Sequence, residues 1–424
     1  MPSVKTLCAA FLLASTSVTM ADAQTPAGDP PDKPRTRVDW NPRPSLRIGD
    51  AARIDFRLKL QLDFRAFSPD QPVDDGTFQL HRRRAAVEGT LFKRVDFQVE
   101  RELRERGPWR DVYADARIDN ALQFQGGKFK MPFGLEETTG TMDLDFIYRT
   151  VGTVALTPAR DVGGMAHGRL GRTLEYEAGA FRHDGEGALS EEGFLLPGEE
   201  QPRAERAIAA RVVATPWGRG GGSRPRLGLA ATSSAVPEGL NSVAGRSVFR
   251  STFFPRLYVR GRRMRIGAQA EWNPGPFGFR SEYIKVSEDR NGQGLGDVDL
   301  SALIGRSWYA SATWVVTGEK KGNGIGPRRP LLQGGIGSIE VGARFERAAF
   351  GSAAHDGPAF RNPRADNVLG NTERVWTTGA NWYVNRWFKV QANGIREMFE
   401  DAQRTPVSGH TTFWSGVIRL QAVL

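Results

Sequence analysis

Arginine and lysine occupy alternate positions in several stretches of the chain. A guanidinium group presents a planar fork of N–H donors that pairs with two oxygens of a phosphate or a carboxylate. A row of such sites, each binding weakly, lets an anion step along a surface without being trapped. Any one base could instead pair with an acid on a neighbouring strand and act as a salt bridge. The bases placed in this way are Arg53, Arg57, Lys59, Arg65, Arg82, Arg84, Arg263, Arg265, Arg280, Arg344, Lys389 and Arg419.

This spacing requires β-strands. Between residues 53 and 65, the even positions from Ile54 to Phe64 are apolar and the odd positions from Arg53 to Arg65 are polar or charged. Successive strand residues point to opposite faces, so a strand separates the two sets whereas a helix would mix them. The same alternation recurs at 263–272, 339–346 and 414–424. The sequence therefore predicts long strands with one apolar face and one charged face.

Sixteen strands are predicted, an even number that suits a closed barrel in a bacterial outer membrane. The predicted fold is all-β, a 16-stranded antiparallel transmembrane β-barrel with short periplasmic turns, long extracellular loops and an inward constriction loop. The predicted strands are 52–66, 77–91, 94–104, 110–119, 122–130, 162–171, 172–183, 205–215, 225–234, 260–272, 277–287, 306–317, 336–347, 373–384, 386–399 and 411–424. The long polar loops are expected at 184–204, 288–305, 318–335 and 348–372. Interfacial aromatic girdles are expected from Trp272, Trp308, Trp314, Trp376, Trp382, Trp387 and Trp414.

The N-terminus has the pattern of a secretory signal peptide. Lys5 precedes an apolar run at 7–18, and Ala21-Asp22-Ala23 has the form of a cleavage site, so we expect residues 1–23 to be removed. Residues 24–46 are rich in proline and are expected to form a periplasmic lead-in without helix or central strand, before a barrel domain at 47–424. The one cysteine, Cys8, lies in the leader, so the mature chain is expected to hold no disulfide or thiolate metal site.

The chain carries a formal net charge of +10, with 58 lysines and arginines against 48 aspartates and glutamates. Such a balance suits nucleic acid, anionic lipid or anionic solutes. Export disfavours nucleic acid, so the expected partners are small phosphate-like anions and outer-membrane lipid or lipopolysaccharide. High arginine usage in the genome would also explain the composition, although not the positions of the arginines. No cofactor or metal is expected.

The longest early connection, 131–161, follows directly on Lys128-Phe129-Lys130. A loop of this length can fold into a barrel lumen and form its narrowest part, where the lining groups set the selectivity. Acids in the loop (Glu136, Glu137, Asp143, Asp145, Asp161) could still admit cations, but inward bases outnumber acids on the neighbouring faces, which favours anions. The expected anion pathway comprises Lys128, Lys130, Arg149, Arg160, Arg57, Lys59, Arg65, Arg82, Arg84, Arg263, Arg265, Arg280 and Arg344.

Five segments share motifs with one known family. They are His81–Phe92 (HRRRAAVEGTLF), Gly126–Glu137 (GGKFKMPFGLEE), Pro158–Gly163 (PARDVG), Trp272–Phe277 (WNPGPF) with Glu282-Tyr283, and Asn381–Asn385 (NWYVN). In this order the segments resemble the phosphate-selective porin O and P family over roughly 47–424. The resemblance implies a sixteen-stranded, trimeric, anion-selective channel. It does not imply phosphate itself as the solute.

Two other classes of function remain open. A barrel hydrolase would need a Ser/His/acid or Asp/His set at one rim, yet the five histidines show no paired spacing, and Gly-x-Ser-x-Gly and His-Glu-x-x-His are absent; an enzyme is therefore not expected. A structural or adhesion barrel with a blocked lumen depends on loop conformation, which the sequence does not reveal. Arg83 points opposite to Arg82 and Arg84 and is expected at lipid or at a subunit contact. Loop bases that could bind lipopolysaccharide phosphates are Arg328, Arg329, Arg361 and Arg364.

Overall fold

A computed structural model describes residues 36–40, 43–71, 76–104, 108–185, 205–216, 223–322 and 324–424. The signal peptide predicted at 1–23, and the lead-in as far as residue 35, lie outside the described residues. Among those described, no helix is both long and apolar enough to cross a bilayer.

Sixteen strands of the described chain form one closed antiparallel barrel, which confirms the predicted fold. The last strand pairs with the first, with Leu420 opposite Leu62, so that this sheet has no open edge between them. The barrel strands are β3 (Ala52–Ser68), β4 (Phe78–Leu91), β5 (Val95–Glu102), β6 (Trp109–Arg117), β7 (Gln123–Lys130), β8 (Arg160–Leu170), β9 (Leu174–Phe181), β10 (Glu205–Ala214), β11 (Arg226–Gly239), β14 (Val259–Trp272), β15 (Phe277–Arg290), β16 (Leu300–Val315), β17 (Ser338–Ser352), β18 (Asn371–Tyr383), β19 (Phe388–Phe399) and β20 (Thr412–Val423).

The barrel wall has its apolar side chains outside and its charged side chains inside. On β3, the outward Phe56 and Leu58 are 47% and 50% exposed, whereas the inward Gln61 and Asp63 are both 0% exposed. This is the arrangement of a lipid-embedded barrel, in which outward residues face hydrocarbon and polar groups face the lumen.

The two ends of the barrel differ in the length of their connections. One end has the short connections 92–94, 118–122, 171–173, 273–276 and 384–387; it is called the turn end below. The connection 316–337, expected among the extracellular loops, also lies at the turn end, where Lys321 N donates to Gly275 O at 2.8 Å and Leu331 N donates to Val384 O at 3.1 Å. Arg328 and Arg329 therefore lie at the opposite end from Arg361 and Arg364, which corrects their grouping in one set of loop bases.

A hairpin precedes the barrel within the segment predicted to be a lead-in. Its strands are β1 (Thr36–Trp40) and β2 (Pro44–Ile48), and β2 pairs with the first residues of β3, with Leu46 opposite Ile54. The hairpin thus extends the sheet at the turn end, where Ser45 Oγ donates to Asp55 Oδ1 at 2.5 Å. Pro44 does not prevent strand pairing, because it is the first residue of β2, a position at which a strand tolerates proline.

Among the described residues, two long connections fold into the lumen. The inner loop, residues 131–159, carries α1 (Leu135–Thr138) and α2 (Val151–Leu156). The loop 240–258 carries the short strands β12 (Gly245–Arg246) and β13 (Thr252–Phe254). Both loops contribute to one apolar core with inward residues of the wall, including Phe133, Ile147, Leu156, Phe253, Phe254, Ile284, Val286, Leu303 and Phe350.

This core explains where the predicted strand ends were too short. β11, β15, β16 and β17 continue up to six residues beyond their predicted limits, all at the end that carries the long loops. In the extensions of β11, β16 and β17 the inward residues include apolar ones, namely Val236, Leu303 and Phe350, because they pack on the inward loops. The alternation of apolar and polar residues that marks a strand is therefore lost from the sequence.

Candidate functional site

Two cavities lined by described residues of the lumen meet at the tip of the inner loop, residues 139–145. The first cavity, about 550 Å³, lies against β3–β9. The second, about 430 Å³, lies at the turn end and is called the turn-end cavity. Gly140, Met142 and Asp143 line both. Any passage between the two cavities therefore runs past the tip.

Six bases and three acids line the first cavity. Arg57 and Lys59 come from β3 and are 19% and 13% exposed in their side chains. Carboxylates of β4 and β5 hold them from behind: Arg57 Nη2 lies 3.0 Å from Glu88, and Lys59 Nζ lies 2.6 Å from the fully buried Glu100. The other bases are Arg43, Arg84, Lys130 and Arg160, and the acids are Asp111, Asp143 and Glu177.

Arg84 and Arg160 are more deeply buried than Arg57 and Lys59. Arg84 is 1% exposed, with its Nε 2.7 Å from Glu102 Oε2. Arg160 belongs to β8 and not to the loop as predicted, and its Nη2 lies 2.8 Å from Asp111 Oδ2. These two arginines add positive charge beneath the surface of the cavity, where pairing with acids compensates their burial.

Five bases and three acids line the turn-end cavity. Arg280 of β15 is held between Asp145, at 3.2 Å, and Glu271, at 3.0 Å. Lys321 reaches in from the connection 316–337, with its Nζ 2.7 Å from Asp145. The remaining bases are Arg226, Arg386 and Lys389, and the acids are Asp143, Asp145 and Glu271.

The tip is fixed to the wall by side chains of β18, β19 and β20. Lys389 Nζ donates to Met142 O at 3.2 Å and to Leu144 O at 3.1 Å. Asn381 Nδ2 donates to Asp145 O at 2.8 Å, and Gln421 Nε2 donates to Met142 O at 3.0 Å. Burial disfavours ionisation of Asp145, but Arg280 and Lys321 outweigh it and keep its pKa below the ordinary value. The tip therefore presents a carboxylate in a fixed position.

Arginines of the second half of the barrel bind the inner loop. Arg344 Nη1 donates to Glu136 Oε1 at 2.9 Å and to Tyr148 O at 3.0 Å. Arg419 donates to both oxygens of Asp63, at 2.6 and 2.7 Å, and to Ile147 O at 2.7 Å. Both arginines are 3% exposed or less, so their donors serve the inner loop and, for Arg419, also Asp63 of β3.

Other bases expected in the pathway have the same anchoring contacts. Arg149 donates to Thr139 O at 2.8 Å and to Glu136 O at 3.1 Å within the inner loop. Arg265 donates to Leu156 O at 2.8 Å and also pairs with Asp184. Arg263 pairs with Asp184 at 2.6 Å and with Glu288 at 2.5 Å. Their contacts place these three arginines beneath loop segments.

Asp184 joins the connection after β9 to β14. Its burial would raise its pKa, but the guanidinium groups of Arg265 and Arg263 outweigh that effect and lower it to about 2. The carboxylate is therefore ionised throughout the physiological range and ties the start of this connection to the barrel wall.

The remaining predicted bases occupy different places. Lys128 pairs in register with Val112 and Val162, and Val162 is 48% exposed on the outer surface. Residues opposite each other on adjacent strands share a face, so Lys128 lies on the outside, which corrects its assignment to the pathway.

Lys130, at the end of β7, lines the first cavity and donates to Glu137 O at 2.5 Å and Thr139 O at 3.0 Å. Arg82 is buried and donates to Gln61 Oε1 at 2.5 Å, while Arg65 donates to Gln79.

Sequence reasoning missed several residues of the cavities. Lys321, Arg226 and Arg386 lie in or beside connections, where no periodicity indicates the direction of a side chain. Trp387, expected in an interfacial girdle, lines the turn-end cavity with Arg386 over its ring at 4.2 Å. The pair His167 and Asp115, 3.0 Å apart on β8 and β6, was also not evident from spacing. In the described ranges no three His, Cys, Asp or Glu residues are arranged to hold a metal ion.

Comparison with known proteins gives one family and several similar folds. A profile of the family described as phosphate-selective porin O and P matches residues 54–421. No curated protein sequence matches the chain. OmpT, an outer membrane protein of Vibrio cholerae, aligns with a TM-score of 0.55 at 13% identity, covering 89% of this chain and 98% of its own. The outer membrane channel DcaP of Acinetobacter baumannii aligns with a TM-score of 0.52 at 9% identity, over 88% and 98%. Pseudomonas putida OprB aligns with a TM-score of 0.51 at 10% identity, over 88% and 94%.

Proposed function

The chain belongs to the phosphate-selective porin O and P family, and from this premise we propose that this passive channel of the bacterial outer membrane prefers small anions to cations. The channel class and the outer-membrane location follow from the family and the barrel. The preference for anions, the residues that produce it and the absence of catalysis are our proposals.

The excess of bases over acids around both cavities carries the proposal. Six bases face three acids in the first cavity, and five face three in the turn-end cavity. At physiological salt, charges are screened over about 8–10 Å, so only groups close to the path affect a permeating ion. An ion in either cavity meets the lining bases first, and their excess over the lining acids attracts anions, although Glu88, Glu100 and Glu102 behind the bases of the first cavity reduce this potential.

The pathway that we propose uses part of the predicted set. Arg57, Lys59 and Lys130 face the first cavity, Arg280 faces the turn-end cavity, and Arg84 and Arg160 strengthen the positive potential from beneath. The acids behind Arg57 and Lys59 hold these bases in place and reduce their affinity for a passing anion. A site of reduced affinity releases its ion quickly, as conduction requires. Arg65, Arg82, Arg149, Arg263, Arg265 and Arg344 have the structural role of fixing loops and strands.

Small inorganic anions suit this arrangement, and phosphate-like oxyanions suit it best because both guanidinium and ammonium groups are present. We further propose that the channel assembles as a homotrimer. The family resemblance supports this, and OmpT of Vibrio cholerae, whose fold is similar, is described in a trimer form.

The test is the reversal potential of single channels in a planar bilayer under a potassium chloride gradient. Arg57→Gln with Lys59→Gln should lower the ratio of anion to cation permeability by about threefold to tenfold, since two charges close to the path are removed. Arg83→Gln with Lys128→Gln removes the same charge from the outer face and is the matched control. An unchanged ratio in the first variant would falsify the proposed pathway.

The same recordings test the second candidate function, a structural barrel whose lumen is blocked. It is supported by the extent to which the two inward loops fill the lumen beside β14–β20. A passive channel gives steady conductance in the wild-type protein. A wild-type barrel that inserts into the bilayer yet carries no current would instead be structural.

A further inference from the structure

A regular row of bases runs around the outside of the barrel on five consecutive strands, β15–β19. On each strand the four outward residues nearest the turn end are apolar, small or hydroxylated, and the fifth is a base. On β16, for example, Trp314, Ala312, Ala310 and Trp308 precede Arg306. We call the row the outer basic belt; it consists of Lys285, Arg306, Arg347, Arg374 and Arg396.

The belt marks the level at which the outward face of these strands changes from apolar to basic residues. Directly below it, toward the turn end, the outward side chains include aromatic residues in contact with one another: Trp308 and Phe345 have centroids 5.4 Å apart, and Phe345 and Trp376 have centroids 4.7 Å apart. At its level and above it, the inward residues include apolar ones that belong to the core, for example Leu303, Phe350 and Ile395, together with buried acids such as Glu288 and Glu397. Aromatic girdles lie at membrane interfaces.

The distance of the belt from the turn end agrees with a position at a membrane interface. Each base lies eight or nine residues above the turn-end limit of its strand. At about 3.4 Å per residue and a strand tilt of about 40°, this corresponds to roughly 20–25 Å along the barrel axis, close to the thickness of the apolar band of an outer-membrane barrel. The belt lies toward the long loops, which face the cell exterior in such barrels. It therefore lies at the headgroups of the outer leaflet.

The bases of the belt lack sufficient countercharge within the chain. Lys285 lies directly opposite Arg306, and Arg347 lies directly opposite Arg374, so two like-charge pairs face each other across strands. Such pairs are unfavourable on their own. Among the described residues, Arg374 is paired with Glu400 at 2.5 Å, whereas Lys285, Arg306 and Arg347 have no ion pair. Arg396 lies over the ring of Trp414 at 5.2 Å.

We propose that the outer basic belt binds the phosphate groups of a phosphorylated glycolipid of the outer leaflet, with lipid A as the ligand. The belt spans four inter-strand gaps, or roughly 19 Å around the barrel, so that more than one base meets each headgroup. Charge-assisted hydrogen bonds from guanidinium to phosphate supply the affinity. The aromatic residues below the belt contact the acyl chains. This site lies outside the lumen and is independent of the permeating solute.

The outward bases of the first barrel strands differ in arrangement from the outer basic belt. They carry the outward bases Arg83, Arg101 and Lys128, which lie on β4, β5 and β7 and do not form a row on adjacent strands at one level. Arg101 is packed over Trp109 at 5.1 Å. These three bases therefore have the same charge as three belt residues without their arrangement.

The experiment measures lipid binding to the detergent-solubilised full-length protein by native mass spectrometry. The probes are lipid A with both phosphates and the same lipid with both removed, and inorganic phosphate is added as a competitor. The test variant is Arg306→Gln/Arg347→Gln/Arg396→Gln. The control variant is Arg83→Gln/Arg101→Gln/Lys128→Gln. Retention of the heat-modifiable mobility of a folded barrel is checked for each.

The wild-type protein and the control variant should bind the phosphorylated lipid about tenfold more tightly than the dephosphorylated one, and the test variant should lose most of that preference. Inorganic phosphate at millimolar concentration should not abolish binding, since the acyl chains also contribute. Equal losses in both variants, no preference in the wild-type protein, or a change only in the number of subunits would each overturn the proposal. If the triple variant does not fold, Arg347→Gln, which removes one like-charge pair, should fold and bind about threefold more weakly; unchanged binding would overturn the proposal in the same way.

Discussion

The two halves of the lumen wall use inward basic residues for different purposes. Along β3–β9, Arg57 and Lys59 face an open cavity and rest on carboxylates of the adjacent strands. Along β14–β20, Arg344 and Arg419 are covered by the inner loop and donate to its backbone carbonyls. Burial of a charge requires that nearly all of its donors be satisfied. The covering loop therefore decides whether an arginine meets ions or stabilises the fold.

The largest expected effect comes from breaking a buried anchor. Arg419→Met leaves the fully buried Asp63 without its bidentate partner and frees Ile147 O. We expect a loss of about 3–5 kcal/mol in the free energy of unfolding. The measurement is the temperature at which the folded electrophoretic band converts to the unfolded one, together with open-channel noise, which should increase as the inner loop loosens.

Two further variants sharpen this result. Arg57→Met, in the open half, should cost at most about 1 kcal/mol, because its ion pair is partly solvated. Asp63→Leu combined with Arg419→Met should recover part of the loss, since no uncompensated charge then remains buried. Equal destabilisation by Arg57→Met and Arg419→Met would remove the distinction between the two halves.

The second prediction concerns the acid that ties Arg263 and Arg265 to the connection after β9. Because the pKa of Asp184 is lowered to about 2 in the folded protein, its charge stabilises the fold above the ordinary carboxyl pKa, and this contribution disappears as the pH falls through about 2. Asp184→Asn should therefore cost about 2 kcal/mol at pH 7 and almost nothing near pH 2. Thermal unfolding at several pH values measures it; a cost that does not vary with pH would contradict the ionic anchor.

The third prediction concerns the exposed acid of the tip. Asp143 lines both cavities and opposes the surrounding bases. Asp143→Asn removes one negative charge about 7 Å or less from a passing ion, which corresponds to roughly 0.6 kcal/mol in water. Salt screening over about 8 Å reduces this to roughly 0.25 kcal/mol for each ion. Because the change favours the anion and disfavours the cation, the anion-to-cation permeability ratio should rise about twofold to threefold in reversal-potential measurements. A fall in this ratio would show that the tip is not on the path. Glu400→Gln, in a loop and paired with Arg374, is the control with the same change of charge.

The smallest expected effect distinguishes two neighbouring lysines. Lys130→Gln should lower the anion-to-cation permeability ratio about twofold, because Lys130 lines the first cavity. Lys128→Gln should leave the ratio unchanged, because Lys128 lies on the outer face. A comparable change in both variants would place Lys128 in the lumen and overturn the assignment of faces on β7.

The sequence alone determined the strands and their faces. Each of the sixteen predicted strands overlaps an observed one, and the bases at Arg57, Lys59, Arg84, Arg263, Arg265, Arg280 and Arg344 lie on the inward face as predicted. A strand has a period of two, so a few adjacent residues show which side chains face lipid. The assignment of Lys128 to the pathway rests on its position before the inner loop and not on this alternation, which places Lys128 on the outer face with Phe124.

Only the tertiary structure decided which inward bases are open and which are covered. Arg419 finds its partner Asp63 at a separation of 356 residues, and Arg344 finds Glu136 at 208. The end of the barrel at which 316–337 lies, and the entry of Lys321 into the lumen, likewise depend on closure of the sheet. Contacts of this kind arise between elements that have no local pattern in common. Periodicity shows the direction of a side chain, but it carries no information about the loop that later covers it.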